Sequence, residues 1–282
     1  LNWRKPLKEV AVLVVAALVA AVALQLTWPG AKTETLHGQV GSVKEMRVAA
    51  VGDSLTYGVG DATGSGGYVA LLKADLASAG DYDVSTTNYG HSGDTSSQIM
   101  KRVVEQKKLR ADMKKANIIT VTVGGNDLMH VLQNHFFDIT SKDIATGNTA
   151  FQKRLAKLLT ELRSLNAAAP IYVFGIYNPF YVYFPQITAM EDSVKSWNKS
   201  TQQTIDGFKK IHYVDIDSVL SDGGTQDTTK SAKSSLEKAA EGDDDANPLI
   251  FDQDHFHPNN AGYAAMTKQL WTVMQDTAKE WE

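Results

Sequence analysis

The chain contains no cysteine. That absence excludes disulfides and thiolate metal sites as sources of stability, and it excludes a lipid-modified cysteine at a membrane exit. It says little about redox compartment, because a domain of this size folds on its core alone. An excess of positive charge is also missing, since 28 lysines and arginines face 32 aspartates and glutamates for a net charge of -4. Nucleic-acid binding needs a basic footprint, so no nucleic-acid partner is expected. No internal repeat is present, which sets solenoids and propellers aside.

What remains is a globular balance: 43% hydrophobic and 21% charged residues in 282, enough for one catalytic domain with a sizeable core. The N-terminus departs from it. Arg4, Lys5 and Lys8 precede an uncharged stretch from Val10 to about Ala31 whose centre is almost wholly Ala, Val and Leu. A helix needs roughly 20 apolar residues to cross a bilayer, and Trp28 is of the type enriched at the interface. Residues 1–28 are therefore expected to be a single-pass membrane anchor, 29–45 a polar stalk, and 46–282 the catalytic domain. Basic residues on the N-terminal side put that end in the cytoplasm and the domain outside, at the cell membrane. A cleaved signal peptide is the rival, with a secreted product; Val10 to Leu24 fits its apolar region, but Leu24 to Pro29 offers no A-x-A pattern.

Beyond the stalk, short β-branched runs alternate with helical patterns. Strands are expected at Arg47–Val51, Val84–Asn88, Ile118–Val123, Ile171–Ile176 and Ile211–Ile216. Helices are expected near Gly67–Ala79, Thr95–Lys107, Thr149–Ala167, Ala189–Phe208 and Asn260–Lys279. Alternation of this kind implies a parallel five-stranded sheet covered on both faces, an α/β fold built as a three-layer α/β/α sandwich. Ligands then bind beyond the carboxyl ends of the strands. Residues 221–247, rich in Ser, Thr, Asp, Gly and Lys, read as a polar surface insertion with one helix near Ser234–Ala240.

Four short motifs fall at such strand ends. Gly52-Asp53-Ser54-Leu55 puts a hydroxyl and its own N–H at the end of the first strand, where a plain helix-capping turn would look the same. Asn88-Tyr89-Gly90-His91-Ser92-Gly93-Asp94-Thr95 follows the second, and glycine lets a backbone N–H such as that of Gly90 approach a developing oxyanion. Gly124-Gly125-Asn126-Asp127 follows the third and offers a neutral amide donor, or simply a turn. Near the C-terminus, Asp252-Gln253-Asp254-His255-Phe256-His257-Pro258 can fold an Asp onto a His three residues later, leaving the other ring nitrogen for a serine. Chemistry alone leaves Asp252, Asp254, His255 and His257 open, and a metal site is a further use of such residues.

Taken together, Gly52-Asp53-Ser54-Leu55, Gly90, Gly124-Gly125-Asn126-Asp127 and Asp254-x-x-His257-Pro258 resemble the SGNH, or GDSL, hydrolase family over about Arg47 to Lys279. The stretch Gly175-Ile176-Tyr177-Asn178-Pro179-Phe180, with the anchor, resembles lipase-like members on the surface of Gram-positive bacteria. The resemblance implies a carboxylic ester hydrolase with Ser54 as nucleophile, His257 as general base and Asp254 orienting it. It implies an oxyanion hole from Ser54, Gly90 and Asn126, and no metal or other cofactor. Asp53 is not its acid and is expected to hold the turn. Tyr177, Phe180 and Phe256 are expected to wall the acyl site or cap the sheet, and the substrate is a lipid or short-chain acyl ester. The alternatives are a carbohydrate O-acetylesterase acting on cell-wall glycans, a metal-dependent hydrolase on Asp252, Asp254, His255 and His257, and a surface binding module that kept the fold without activity.

Overall fold

The computed structural model describes residues 43–134, 140–179, 181, 188–221 and 247–282. The expected anchor and stalk, the helix within the insertion, and Phe180 lie outside them. Among the described residues no helix is long and apolar enough to cross a membrane.

Five parallel strands form one sheet in the order β2-β1-β3-β4-β5. They are β1 (Lys44–Gly52), β2 (Tyr82–Gly90), β3 (Ile118–Thr122), β4 (Ile171–Phe174) and β5 (Ile211–Val214). Each run alternates between the two faces. In β1, Ala49 and Val51 join Ile119, Val121, Ile171 and Val173 on one face, while Met46, Val48 and Ala50 join Ile118, Tyr172 and Phe174 on the other.

Helices cover both faces, giving the three layers. In chain order these are α1 (Ser54–Tyr57), α2 (Tyr68–Ala79), α3 (Ser96–Glu105), α4 (Lys107–Lys115), α5 (Gly125–Asn134), α6 (Ser141–Leu165), α7 (Thr188–Ile205), α8 (Asp217–Leu220) and α9 (Asn260–Asp276). On the first face α3, α4, α6 and α7 contribute Ile99, Val103, Leu109, Met113, Leu155, Leu159 and Trp197, and Phe151 stacks on Trp197 with ring centroids 5.0 Å apart. On the second, Leu72 and Leu76 of α2 meet Tyr263, Met266 and Leu270 of α9.

The register decides where the site lies. Gly52 pairs with Gly90 on one side and with Thr122 on the other, so β1, β2 and β3 end at the same level. This strand order reverses its direction of travel at β1, and a crevice opens there between the loops that leave toward opposite faces. The motifs after these three strands are thereby delivered to one place.

Candidate active site

Ser54 opens α1, and the cap is built by its predecessor. Asp53 Oδ1 accepts the Leu55 N–H at 3.0 Å and the Thr122 hydroxyl at 2.8 Å. Beneath it runs a buried chain of hydroxyls, with Thr122 to Thr56 at 2.8 Å, Thr56 to Tyr68 at 3.0 Å and Tyr68 to Thr120 at 3.0 Å. Burial raises the Asp53 pKa, against the lowering effect of the Thr122 and Leu55 hydrogen bonds. The residue holds the turn, its carboxylate bonded to neutral donors, and the nearby His257 ring adds a further lowering effect on its pKa.

The C-terminal motif reaches Ser54 by a tightly stapled loop. Phe251 N–H donates to the His257 carbonyl at 2.7 Å, Ile250 and Pro258 form an antiparallel bridge, and Asn259 caps α9 by accepting from Ala261 and Gly262 N–H. Asp254 Oδ1 accepts the N–H groups of Phe256 at 2.9 Å and His257 at 3.0 Å, a local turn that leaves Oδ2 for the ring. His257 Nδ1 lies 2.6 Å from Asp254 Oδ2, and His257 Nε2 lies 2.9 Å from Ser54 Oγ. Partial burial alone would raise the Asp254 pKa, but the His257 N–H, its ring and the Phe256 N–H together bring it below the usual carboxylate value. Nδ1–H therefore faces an ionised acceptor, which leaves Nε2 with a lone pair toward the hydroxyl.

Of the local alternatives, only Asp254 and His257 join Ser54. His255 sits next to them with φ 51, its N–H bonded to the Phe251 carbonyl at 2.9 Å. Among the described residues no group of three or more Asp, Glu or His side chains converges as a metal site.

The expected donors are placed unequally. Asn126, in the first turn of α5, gives one Nδ2 hydrogen to the Asp94 carbonyl at 3.0 Å, and the second has no acceptor among the described residues. The Ser54 N–H has no acceptor among the described residues. Gly90 differs: its N–H is taken by Asn88 Oδ1 at 2.8 Å. Its lack of a side chain is explained by packing, because a Cβ there would stand 2.0 Å from the Tyr57 nitrogen. Gly93, three residues on, has φ +84 and open space where a Cβ would be, and its N–H has no acceptor among the described residues. The run Ser92-Gly93-Asp94 carries this second glycine in the same motif as Gly90, and its sequence context does not distinguish the two.

Tyr177 and Phe256 line a pocket of about 40 Å³ beside Ser54, with Leu55, Val123, Ile176, Pro179 and Asn126. The Tyr177 hydroxyl donates to the Phe256 carbonyl at 2.5 Å, and the Phe256 ring meets His257 edge-on at 4.9 Å. Burial pushes the Tyr177 pKa upward, with the nearby Tyr263, Asp254 and Asp53 adding to it, so the phenol remains a donor.

A sequence model of the GDSL-like lipase/acylhydrolase family matches residues 50–265. The chain belongs to that family and is a carboxylic ester hydrolase. It is 29% identical over 231 residues to the uncharacterized protein YpmR of Bacillus subtilis (strain 168), covering 81% of each chain. It is 24% identical over 229 residues to the spore germination lipase LipC of Bacillus licheniformis, covering 80% of this chain and 94% of that one. Among solved structures, the lipase Lip_vut3 from a goat rumen metagenome shares the fold with a TM-score of 0.65 at 22% identity, covering 81% of this chain and 97% of that one.

Proposed function

We propose that the chain hydrolyses short-chain carboxylic esters through an acyl-enzyme on Ser54. The observation that carries this reading is the unbroken relay from Ser54 Oγ to His257 Nε2 at 2.9 Å and from His257 Nδ1 to Asp254 Oδ2 at 2.6 Å.

Ser54 Oγ attacks the ester carbonyl carbon as His257 Nε2 takes the hydroxyl proton, and the carbonyl electron pair moves onto oxygen. That oxyanion is met by the Ser54 N–H, the second Nδ2 hydrogen of Asn126, and the N–H of Gly93 in place of the one at Gly90. Collapse expels the alcohol, which takes the proton from Nε2. Water then attacks the acyl-enzyme, giving its proton to Nε2, and the second collapse returns that proton to Ser54 Oγ as the acid leaves. Asp254 stays ionised throughout and stabilises the imidazolium.

The acyl pocket favours a small group. Sites for drug-sized ligands usually exceed roughly 300 Å³, and a volume of about 40 Å³ suits acetyl to butyryl better than a lipid chain. That observation supports carbohydrate O-acetylesterase action as the second reading. Acetylated glycan assayed beside simple short-chain esters such as p-nitrophenyl butyrate distinguishes the two, and turnover of lysophospholipid would contradict both.

Ser54→Ala is expected to abolish p-nitrophenyl acetate hydrolysis and labelling by a fluorophosphonate. A variant that keeps either property removes Ser54 from the mechanism. The same reading keeps residues 1–28 as an anchor and the domain outside the membrane; full-length protein that leaves the membrane fraction in carbonate would contradict it.

A further inference from the structure

We propose that Arg102 is a positioning residue for the oxyanion site. The proposal rests on the acyl-transfer reading of Ser54.

Arg102 sits in the second turn of α3, and helical side chains lean back toward the helix N-terminus. Its guanidinium consequently reaches the loop that precedes the helix. Nε donates to Asp94 Oδ2 at 2.6 Å, Nη1 to the Tyr89 carbonyl at 2.7 Å, and Nη2 to the Gly52 carbonyl at 2.8 Å. One planar cation thus ties together the end of β1, two residues before Ser54, the end of β2, and the side chain of Asp94. The Asp94 carbonyl in turn holds Asn126 at 3.0 Å. Tyr89 and Asp94 bracket the loop that carries Gly90 and Gly93, so all three proposed donors hang from partners of this guanidinium.

The chemistry suits arginine alone. Five fixed N–H donors serve three acceptors in different directions, which a lysine ammonium on a flexible stem does not reproduce. Asp94 is buried, and among the described residues its other oxygen meets only the exposed His91 ring, at 3.0 Å. Without the guanidinium, buried Asp94 Oδ2 loses its charged partner and the Tyr89 and Gly52 carbonyls each lose a donor, the Gly52 carbonyl keeping the His91 N–H at 3.0 Å, and the loop that holds Asn126 relaxes. Misplacement of about 1 Å at a reacting centre costs roughly 10²-fold in rate.

The test compares purified Arg102→Ala and Arg102→Lys with wild type and Ser54→Ala on p-nitrophenyl acetate. Both arginine variants are expected to lose roughly 10²-fold in kcat with KM changed by less than about threefold, because the donors act on the transition state. Millimolar methylguanidinium should restore about tenfold of the loss in Arg102→Ala and nothing in Arg102→Lys, whose side chain fills the space. Arg110→Ala serves as the control, since Arg110 pairs with Glu161 at 2.6 Å on the outer helices and should lower the melting temperature without changing kcat. A folded Arg102→Ala with kcat within about threefold of wild type, or a loss that guanidinium does not recover, overturns the proposal. Activity retained by Ser54→Ala would instead overturn the reading beneath it, whatever Arg102 does.

Discussion

The carboxyl edge of the sheet has two halves that treat their carboxylates differently. Beyond β1, β2 and β3, Asp94 meets Arg102, while Asp127 accepts from Arg154 at 2.9 Å and from the Ser96 N–H and hydroxyl. Beyond β5, Glu191, Asp215 and Asp217 border a separate cavity of about 490 Å³ that shares no described lining residue with the Ser54 pocket. Lys195 there is engaged by Glu191 at 3.0 Å. Among the described residues no cation pairs directly with Asp217, and Lys195 acts on it only at a distance: burial, reinforced by Glu191 and Asp215, pushes its pKa up to about 6 despite the Ser221 hydroxyl. The difference teaches that loops whose position matters to the proposed chemistry are pinned by guanidinium-carboxylate pairs of fixed geometry. The other half tolerates a carboxyl that takes up a proton.

The sharpest break in this comparison comes from the acid of the relay, which among the described residues pairs only with the His257 ring. Asp254→Asn keeps the shape of the turn but exchanges an ionised acceptor for an amide that can favour the wrong tautomer. The expected loss in kcat is roughly 10⁴-fold, measured on p-nitrophenyl acetate. A loss under about tenfold would mean that the 2.6 Å contact is not part of the mechanism. Next in size is Asn126→Ala, which removes a single neutral donor and should cost about 10² to 10³ in kcat with little change in KM.

The third effect is on stability. Of the bonds among the described residues, Arg154→Met leaves buried Asp127 with those to Ser96, and breaking a buried pair from one side costs about 3 kcal/mol or more. Because Arg154 itself is partly exposed, the lower figure is expected in urea unfolding. An unchanged midpoint would show that neutral donors suffice and that the guanidinium pins nothing.

Much of the sheet is legible in the sequence because its β-branched runs are nearly continuous. The strand ends are less so: Lys44 and Glu45 pair with Tyr82 and Asp83 without any apolar signal, and β4 and β5 stop at Phe174 and Val214, two residues short of the expected ends. Helix α4 hides behind its charge, since only Leu109 and Met113 of nine residues are buried. Helix α6 begins at Ser141 rather than near Thr149, because Thr140 and Asp143 form a capping box that overrides Gly147 and the threonines on either side of it, Thr146 and Thr149. At the site, Ser54, Asp254 and His257 were nameable from short motifs and stand within bonding distance. The fate of the Gly90 N–H was not, because it depends on which way the Asn88 side chain turns. Arg102 and Arg154 were equally silent, as their partners lie up to 50 and 58 residues away.

The smallest effect tests the uncompensated half. Asp217 takes up its proton more readily folded, at about 6, than at the ordinary value of 3.8. Its contribution to stability is therefore full below about pH 4 and is lost as pH rises through 6. Asn in its place keeps an acceptor for Ser221 and carries no charge, so Asp217→Asn should gain on wild type between pH 4 and pH 7. The shift corresponds to about 1–3 kcal/mol, the lower end applying because the group is not fully enclosed. Thermal melts of the two proteins across that range give the answer, with kcat/KM unchanged if the halves are as separate as their linings. A difference in melting temperature that stays flat with pH would mean that Asp217 is already matched, and the contrast between the two halves of the edge would fall with it.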